Sequence, residues 1–166
     1  LHMIEPITYL GYVRREDIKI TIHQIQKVSG RFEYELDKFD RLRDIIQGSL
    51  LMEKKTLIYF PTVSLIQRFQ EYIQSQTDFY QDIAVYHGRM DKVLKMENYK
   101  QYLSGNKLIM LATKAFGMGI DIDDIKRVVH FAPTGNVCDY VQEIGRAARK
   151  PGLDGEALYE YDKRDF

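Results

Sequence analysis

Cysteine occurs once, at Cys138, so no internal disulfide can staple the fold, and no cluster of cysteine and histidine has zinc-site spacing. No metal site is therefore expected. Cys138 itself reads as a small, half-buried residue on a helix. No apolar run approaches the ~20 residues of a membrane span, and no signal-peptide pattern opens the chain, so an intracellular protein without a membrane partner is expected. The 24 basic and 24 acidic residues cancel, so any nucleic-acid surface has to be local. Internal repeats and low-complexity segments are absent as well. So is every G-x-x-x-x-G-K-[ST] phosphate loop and every DExH or DEAD box following a strand. Without those, nothing in the chain can cradle β- and γ-phosphates with Mg²⁺ or position an attacking water.

What remains is the make-up of one ordinary globular domain: 166 residues, 45% hydrophobic and 29% charged. Such a length can bury a core without disulfides or metals. The opening Leu1-His2-Met3 reads as a cloning scar and is set aside.

From Thr56 onward, short apolar runs alternate with amphipathic stretches. Thr56–Phe60 reads as a buried strand. Leu65, Ile66, Phe69, Tyr72 and Ile73 then fall at helical spacing, with Thr62 or Ser64 as N-cap. Asp82–Tyr86, Lys107–Ala112, Arg127–Phe131 and Glu156–Tyr161 are further strands. Asp91–Leu103 is a helix with Leu94, Tyr99, Tyr102 and Leu103 inward and Gly105 as its stop. Another helix is expected over about Val137–Ala148. This alternation predicts an α/β fold with an open, mostly parallel central sheet and helices on both faces. Residues 1–48 read as a leading strand (Ile18–Ile22) and helix (Lys38–Ile46) joined to a domain over 49–166, with Gly48 opening the link to the first buried strand.

In open α/β sheets, ligands gather at the carboxyl ends of strands. Two segments there stand out. In Ala112–Asp121 (ATKAFGMGID), Gly117 and Gly119 permit close approach of a ligand, and Asp121 could accept a ribose hydroxyl. Taken alone, a Gly-x-Gly loop is equally the mark of a structural turn. In Gln142–Arg149 (QEIGRAAR), at about 100° per residue, Gln142, Arg146 and Arg149 share one sector while Val137, Tyr140, Ile144 and Ala147 point oppositely. Two forked guanidiniums and a carboxamide on one ridge suit a polyanion. A glycine there, Gly145, costs ~1 kcal/mol against alanine, which suggests close approach of a partner. A solvated basic helix face is the bland alternative.

QEIGRAAR resembles helicase motif VI (QxxGRxxR), and LATKAFGMGID resembles motif V, in the expected order. Leu57-Ile58-Tyr59-Phe60 resembles the start of motif IV, and Tyr86-His87-Gly88 the segment between motifs IV and V. The wording AFGMGID…QEIGRAAR, with the closing EALYEYD, is similar to that of RecQ helicases within superfamily 2. The resemblance spans about Asp37–Phe166. Ala148, Lys150 and Asp121 depart from the usual RecQ wording.

This resemblance implies a three-layer RecA-like fold: the C-terminal motor domain of an ATP-dependent 3′–5′ DNA helicase. It implies Arg149 as an arginine finger on the γ-phosphate of ATP. Arg146 would lie at the phosphates or the partner's acidic motif, and Gln142 would couple the domains. Asp121, approached past Gly119, would meet the ribose or the interdomain network. Thr113 would touch the nucleic-acid backbone, with His87, Gly88 and Arg89 near the same strand. For His87, a structural role as a cap or hydrogen-bonded core histidine stays open. ATP and Mg²⁺ would be held mainly by an N-terminal RecA-like domain of the same protein. Single-stranded or forked DNA would be the other partner, with RNA, or a remodelling or defence ATPase, as alternatives. A non-catalytic nucleic-acid or protein-binding module is the reading of a different class. The expected state is a monomer, cytoplasmic or nucleoid-associated, or nuclear in a eukaryote.

Overall fold

The structure is a computed structural model that describes residues 18–24, 31–113, 122, 124–131 and 155–161, with side chains described over 35–113, 122 and 124–131. In chain order the elements are β1 (Ile18–Gln24), α1 (Arg31–Leu51), β2 (Thr56–Tyr59), α2 (Val63–Gln76), a 3₁₀ turn (Phe79–Asp82), β3 (Ile83–Tyr86), α3 (Lys92–Leu103), β4 (Ile109–Ala112), β5 (Arg127–His130) and β6 (Gly155–Tyr161). The strands form one sheet in the order β1-β6-β5-β2-β4-β3, and each pair is parallel.

β2 and β4 are short and largely apolar because they are buried on both faces, which a parallel sheet covered by helices requires; β5 buries Val128, Val129 and His130 in the same way, with Arg127 half-buried at its start. Alternation sorts their side chains. Ile58, Leu111, Val129 and Val85 lie on the face packed by Phe39, Leu42 and Ile46 of α1 and Ile66, Phe69 and Ile73 of α2. Leu57, Tyr59, Met110 and Val128 lie on the other, where Tyr102 of α3 is fully buried and stacks under the Lys55 ammonium. Helices therefore cover both faces. The helix expected over Val137–Ala148 lies outside the described residues.

Local chemistry sets the helix ends. Thr62, extended at φ −142°, accepts the Leu65 N–H on its hydroxyl at 3.2 Å and is the N-cap of α2. Ser64 instead accepts from Arg68. Gly105 stops α3 at φ +86°. Between α1 and α2, Phe39 meets Phe69 edge-on at 5.2 Å, and Arg68 pairs with Glu35 at 2.9 Å. The Tyr72 hydroxyl donates to Asp40; burial, then that hydrogen bond, push its pKa up to about 12.

Two expectations are corrected. Gly48 does not open a linker: α1 continues through it to Leu51 and stops where Glu53 takes the left-handed conformation, φ 53°. Lys54 N–H then bonds the Ser49 carbonyl at 2.8 Å, so the helix closes on a glutamate rather than on the glycine. Leu94 and Leu103 are not inward on α3; they are 49% and 46% exposed, and Tyr99 is only half-buried. The reason is that α3 covers an edge strand. Asn98 Oδ1 accepts the Val85 N–H at 3.0 Å, a donor that no further described strand takes, and Lys95 lies over the Tyr86 ring. Satisfying that edge rotates the helix so that Asn98 and Tyr102, rather than its leucines, face the sheet.

A non-glycine residue in the left-handed region costs roughly 1 kcal/mol, and glycine escapes that cost. Glu53→Gly should thus leave stability unchanged or raise it by up to ~1 kcal/mol, whereas Glu53→Val should lower it. Urea denaturation of the three proteins checks this, and a clear loss in the glycine variant would contradict it.

Candidate nucleotide and nucleic-acid edge

Because all strands run the same way, their carboxyl ends lie along one edge. Tyr86 and Ala112 are register partners, so the residues that follow them, His87 and Thr113, leave adjacent strands side by side. Beyond Ala112 the same edge continues to β2, where the Phe60 N–H bonds the Ala112 carbonyl at 2.8 Å, and to β5, where the Phe131 N–H bonds the Tyr59 carbonyl at 3.0 Å. The N-terminus of α2 opens from it at Thr62, with no acidic residue in its first turn. Helix N-termini and exposed cations favour anions.

His87 is 6% exposed, while Gly88 and Arg89 are exposed. Its Nδ1 accepts the Arg89 N–H at 3.2 Å and its carbonyl accepts the Met90 N–H, so it holds a tight turn ahead of α3. An Nδ1 acceptor requires the neutral ring with its proton on Nε2, as assigned by the hydrogen-bond network. Burial, then repulsion by Arg89 and Lys95, lower its pKa from the ordinary 6.5. His87 thus has the capping role that the sequence left open beside a nucleic-acid contact. Thr113 is half-buried at the start of the connection from β4 to β5.

Of the other site residues expected from sequence, Gly119, Asp121, Gln142, Arg146 and Arg149 lie outside the described residues. The strands that flank them are described: the first two fall between β4 and β5, the other three between β5 and β6. Among the described residues, no group of three His, Cys, Asp or Glu could hold a metal ion. No described helix is long and apolar enough to cross a membrane.

One supporting residue escaped the sequence. Lys38, at the head of a periodic stretch, looks like a solvated helix cation. It is 3% exposed: its ammonium donates to the Phe131 carbonyl at 2.7 Å and sits 4.7 Å from that ring's centre. Phe131 stacks on Phe60 at 5.1 Å, so the ends of β5 and β2 are packed together under this lysine. Only a long-range contact marks it, and spacing carries no such signal.

A parallel six-stranded sheet with helices on both faces is an open α/β domain, a class whose ligands gather at the carboxyl edge of the strands. Residues 37–151 match the family described as Helicase conserved C-terminal domain, and the chain belongs to that family. An uncharacterized ATP-dependent helicase of Methanocaldococcus jannaschii is 30% identical over 124 residues, covering 74% of this chain and 18% of that protein. The ATP-dependent DNA helicase RecQ of Pasteurella multocida is 26% identical over 167 residues, covering 100% and 24%. DEAD-box ATP-dependent RNA helicase 51 of Arabidopsis thaliana is 28% identical over 107 residues, covering 64% and 18%. The chain thus spans about a fifth of the length of these relatives. Among solved structures, Dbp5 of S. cerevisiae bound to RNA and ADP BeF3 superposes with TM-score 0.74 at 21% identity, covering 90% of this chain and 37% of that one. DEAD-box protein SrmB of E. coli, bound to RraA, gives 0.73 at 19%, covering 91% and 81%. These likenesses establish the RecA-like fold.

Because the folded chain disfavours the His87 cation, its contribution to stability is complete above the ordinary pKa of 6.5 and is lost as pH falls through the lowered folded value. Denaturant unfolding measured across that window should show stability falling with pH, and His87→Gln should flatten part of the slope. An identical slope in the variant would contradict the assignment.

Proposed function

We propose that this chain is the second motor domain of an ATP-dependent 3′–5′ DNA helicase of RecQ type, completed by an N-terminal RecA-like domain of the same protein. The observation that carries the DNA substrate is extent of match. The RecQ relative of P. multocida is aligned over 100% of the chain, the edge strand Ile18–Gln24 and its neighbour Gly155–Tyr161 included, against 64% for the A. thaliana RNA helicase and 82% for an RNA helicase of Saccharomyces cerevisiae. An RNA substrate is the second reading, favoured by ATP-dependent RNA helicase DBP2 of Saccharomyces cerevisiae, 33% identical over 138 residues.

In this proposal the missing phosphate loop and acidic box belong to the first domain, which holds ATP and Mg²⁺. The described edge fits phosphate rather than metal: it offers a helix N-terminus and Arg89, with no carboxylate cluster among the described residues. Arg149 supplies the guanidinium that meets the γ-phosphate, Arg146 braces the phosphates or the acidic motif opposite, and Gln142 couples the domains. Asp121 accepts from the ribose past Gly119. Thr113 and the neighbouring turn His87-Gly88-Arg89 form part of the strand's track, which their adjacency at the ends of β4 and β3 supports. An arginine finger is worth ~10³–10⁵ in rate, and one carried on a second domain makes hydrolysis wait for domain closure.

The test compares ATP hydrolysis by the intact protein, its Arg149→Ala variant and the 166-residue chain alone, each with single-stranded DNA and RNA. DNA should stimulate the intact protein, the variant should lose about 10³-fold or more in kcat while still binding nucleotide, and the chain alone should not hydrolyse ATP. Unchanged turnover in the variant would refute the finger, and hydrolysis by the pure chain would refute the half-site. Stimulation by RNA alone would favour the second reading.

A further inference from the structure

Lys55 immediately precedes β2, at the edge of the sheet opposite Thr113 and His87, and the proposed function gives it no task. It is nonetheless buried, 4% exposed. Its ammonium donates to Asp124 Oδ1 at 2.9 Å and to the Leu103 carbonyl at 3.2 Å, and lies 5.2 Å from the centre of the Tyr102 ring. Its own carbonyl accepts the N–H groups of Lys126 and Arg127 at 2.9 and 3.2 Å. Side chain and backbone of one residue therefore both grip the stretch 124–127.

That stretch is the return leg of the connection from β4 to β5. In a parallel sheet, a chain that leaves β4 at the carboxyl edge must come back to the amino edge before Arg127 can pair with Thr56. Ile122 and Ile125, 2% and 1% exposed, bury the return leg, but apolar burial is not directional and does not fix where it sits lengthwise. A charged contact does, because its distance is specific. The Asp124 side chain is 46% exposed, so the Lys55 ammonium rather than enclosure holds it.

We propose that Lys55 is a positioning residue. Its bridge to Asp124 fixes the return end of the β4–β5 connection and so sets how Thr113, with which that connection begins, is presented to nucleic acid. The task of Thr113 rests on the helicase function proposed above; the anchoring of the connection does not.

Lys55→Met keeps the apolar stem against Tyr102 and frees a carboxylate that water can solvate, so it removes the bridge without stranding a buried charge. In the intact protein, amide exchange across 113–126 should speed up by about 10- to 100-fold, as expected for losing a charged hydrogen bond, while β2 and α2 stay protected. Nucleic-acid-stimulated kcat should fall by about 2- to 30-fold with KM for ATP unchanged. Asp124→Asn should reproduce both effects, the double variant should add little to either single one, and Lys55→Arg should restore part of the loss. If Lys55→Met does not fold, Asp124→Asn and Lys55→Arg carry the same comparison. Unchanged exchange at 113–126, uniform acceleration across the protein, strictly additive single effects, or faster exchange with an unaltered kcat would each overturn the proposal. A parent protein with no nucleic-acid-stimulated hydrolysis would sink the helicase function instead, while the exchange data still decide the anchor.

Discussion

Thr56–Tyr59 is hydrogen-bonded on both sides, to Ile109–Ala112 and to Arg127–His130, in matching parallel register. A slip of one residue would exchange Ile58 with Tyr59 and turn the face packed by α1 and α2 inside out. This register is the constraint from which the rest follows. It brings the ends of β5, β2, β4 and β3 to one line, places Thr113 beside His87, and lets Phe60 stack on Phe131. The edge can then present loops of unrelated sequence at a common height, which is why this type of sheet serves nucleotide chemistry so often.

Two buried lysines hold β5, one at each end. Lys38 of α1 bonds the carbonyl of Phe131 where the chain leaves β5, and Lys55 bonds Asp124 just before the chain enters it. β5 separates the two segments whose motifs resemble helicase motifs V and VI. Its ends are thus held by charges rather than by burial alone. Charged hydrogen bonds are stronger and more directional than apolar contact, so they suit the ends of a strand whose loops must be aimed.

Most of the architecture was legible because β2 and β4 are apolar on both faces, β5 centres on Val128-Val129, and Leu65, Ile66, Phe69 and Ile73 keep strict helical spacing. Thr62 and Gly105 were readable as a cap and a stop for the same local reason. Where reading failed, a distant group decided. The leucines of α3 promised an inward face, but the unpaired N–H of Val85 drew Asn98 to the sheet instead. Gly48 promised a break, yet α1 runs on to a left-handed Glu53. Nothing near Lys38 or Lys55 in sequence announces a carbonyl 93 residues away or a carboxylate 69 away. Of the candidate site, the motif wording pointed to the helicase C-terminal family to which the chain belongs, its RecQ type staying a proposal, and the structure adds the adjacency of Thr113 and His87 and the cap that His87 makes.

The central claim is that this domain completes an ATP site whose phosphate-holding half lies elsewhere. A crystal structure of the intact protein with a non-hydrolysable ATP analogue and single-stranded DNA tests it most directly. The expected result is nucleotide between two RecA-like domains, with the Arg149 guanidinium within hydrogen-bond reach of the γ-phosphate and Thr113 against the DNA backbone. Nucleotide bound wholly by the other domain in a closed state, with Arg146 and Arg149 both turned to solvent, would contradict it.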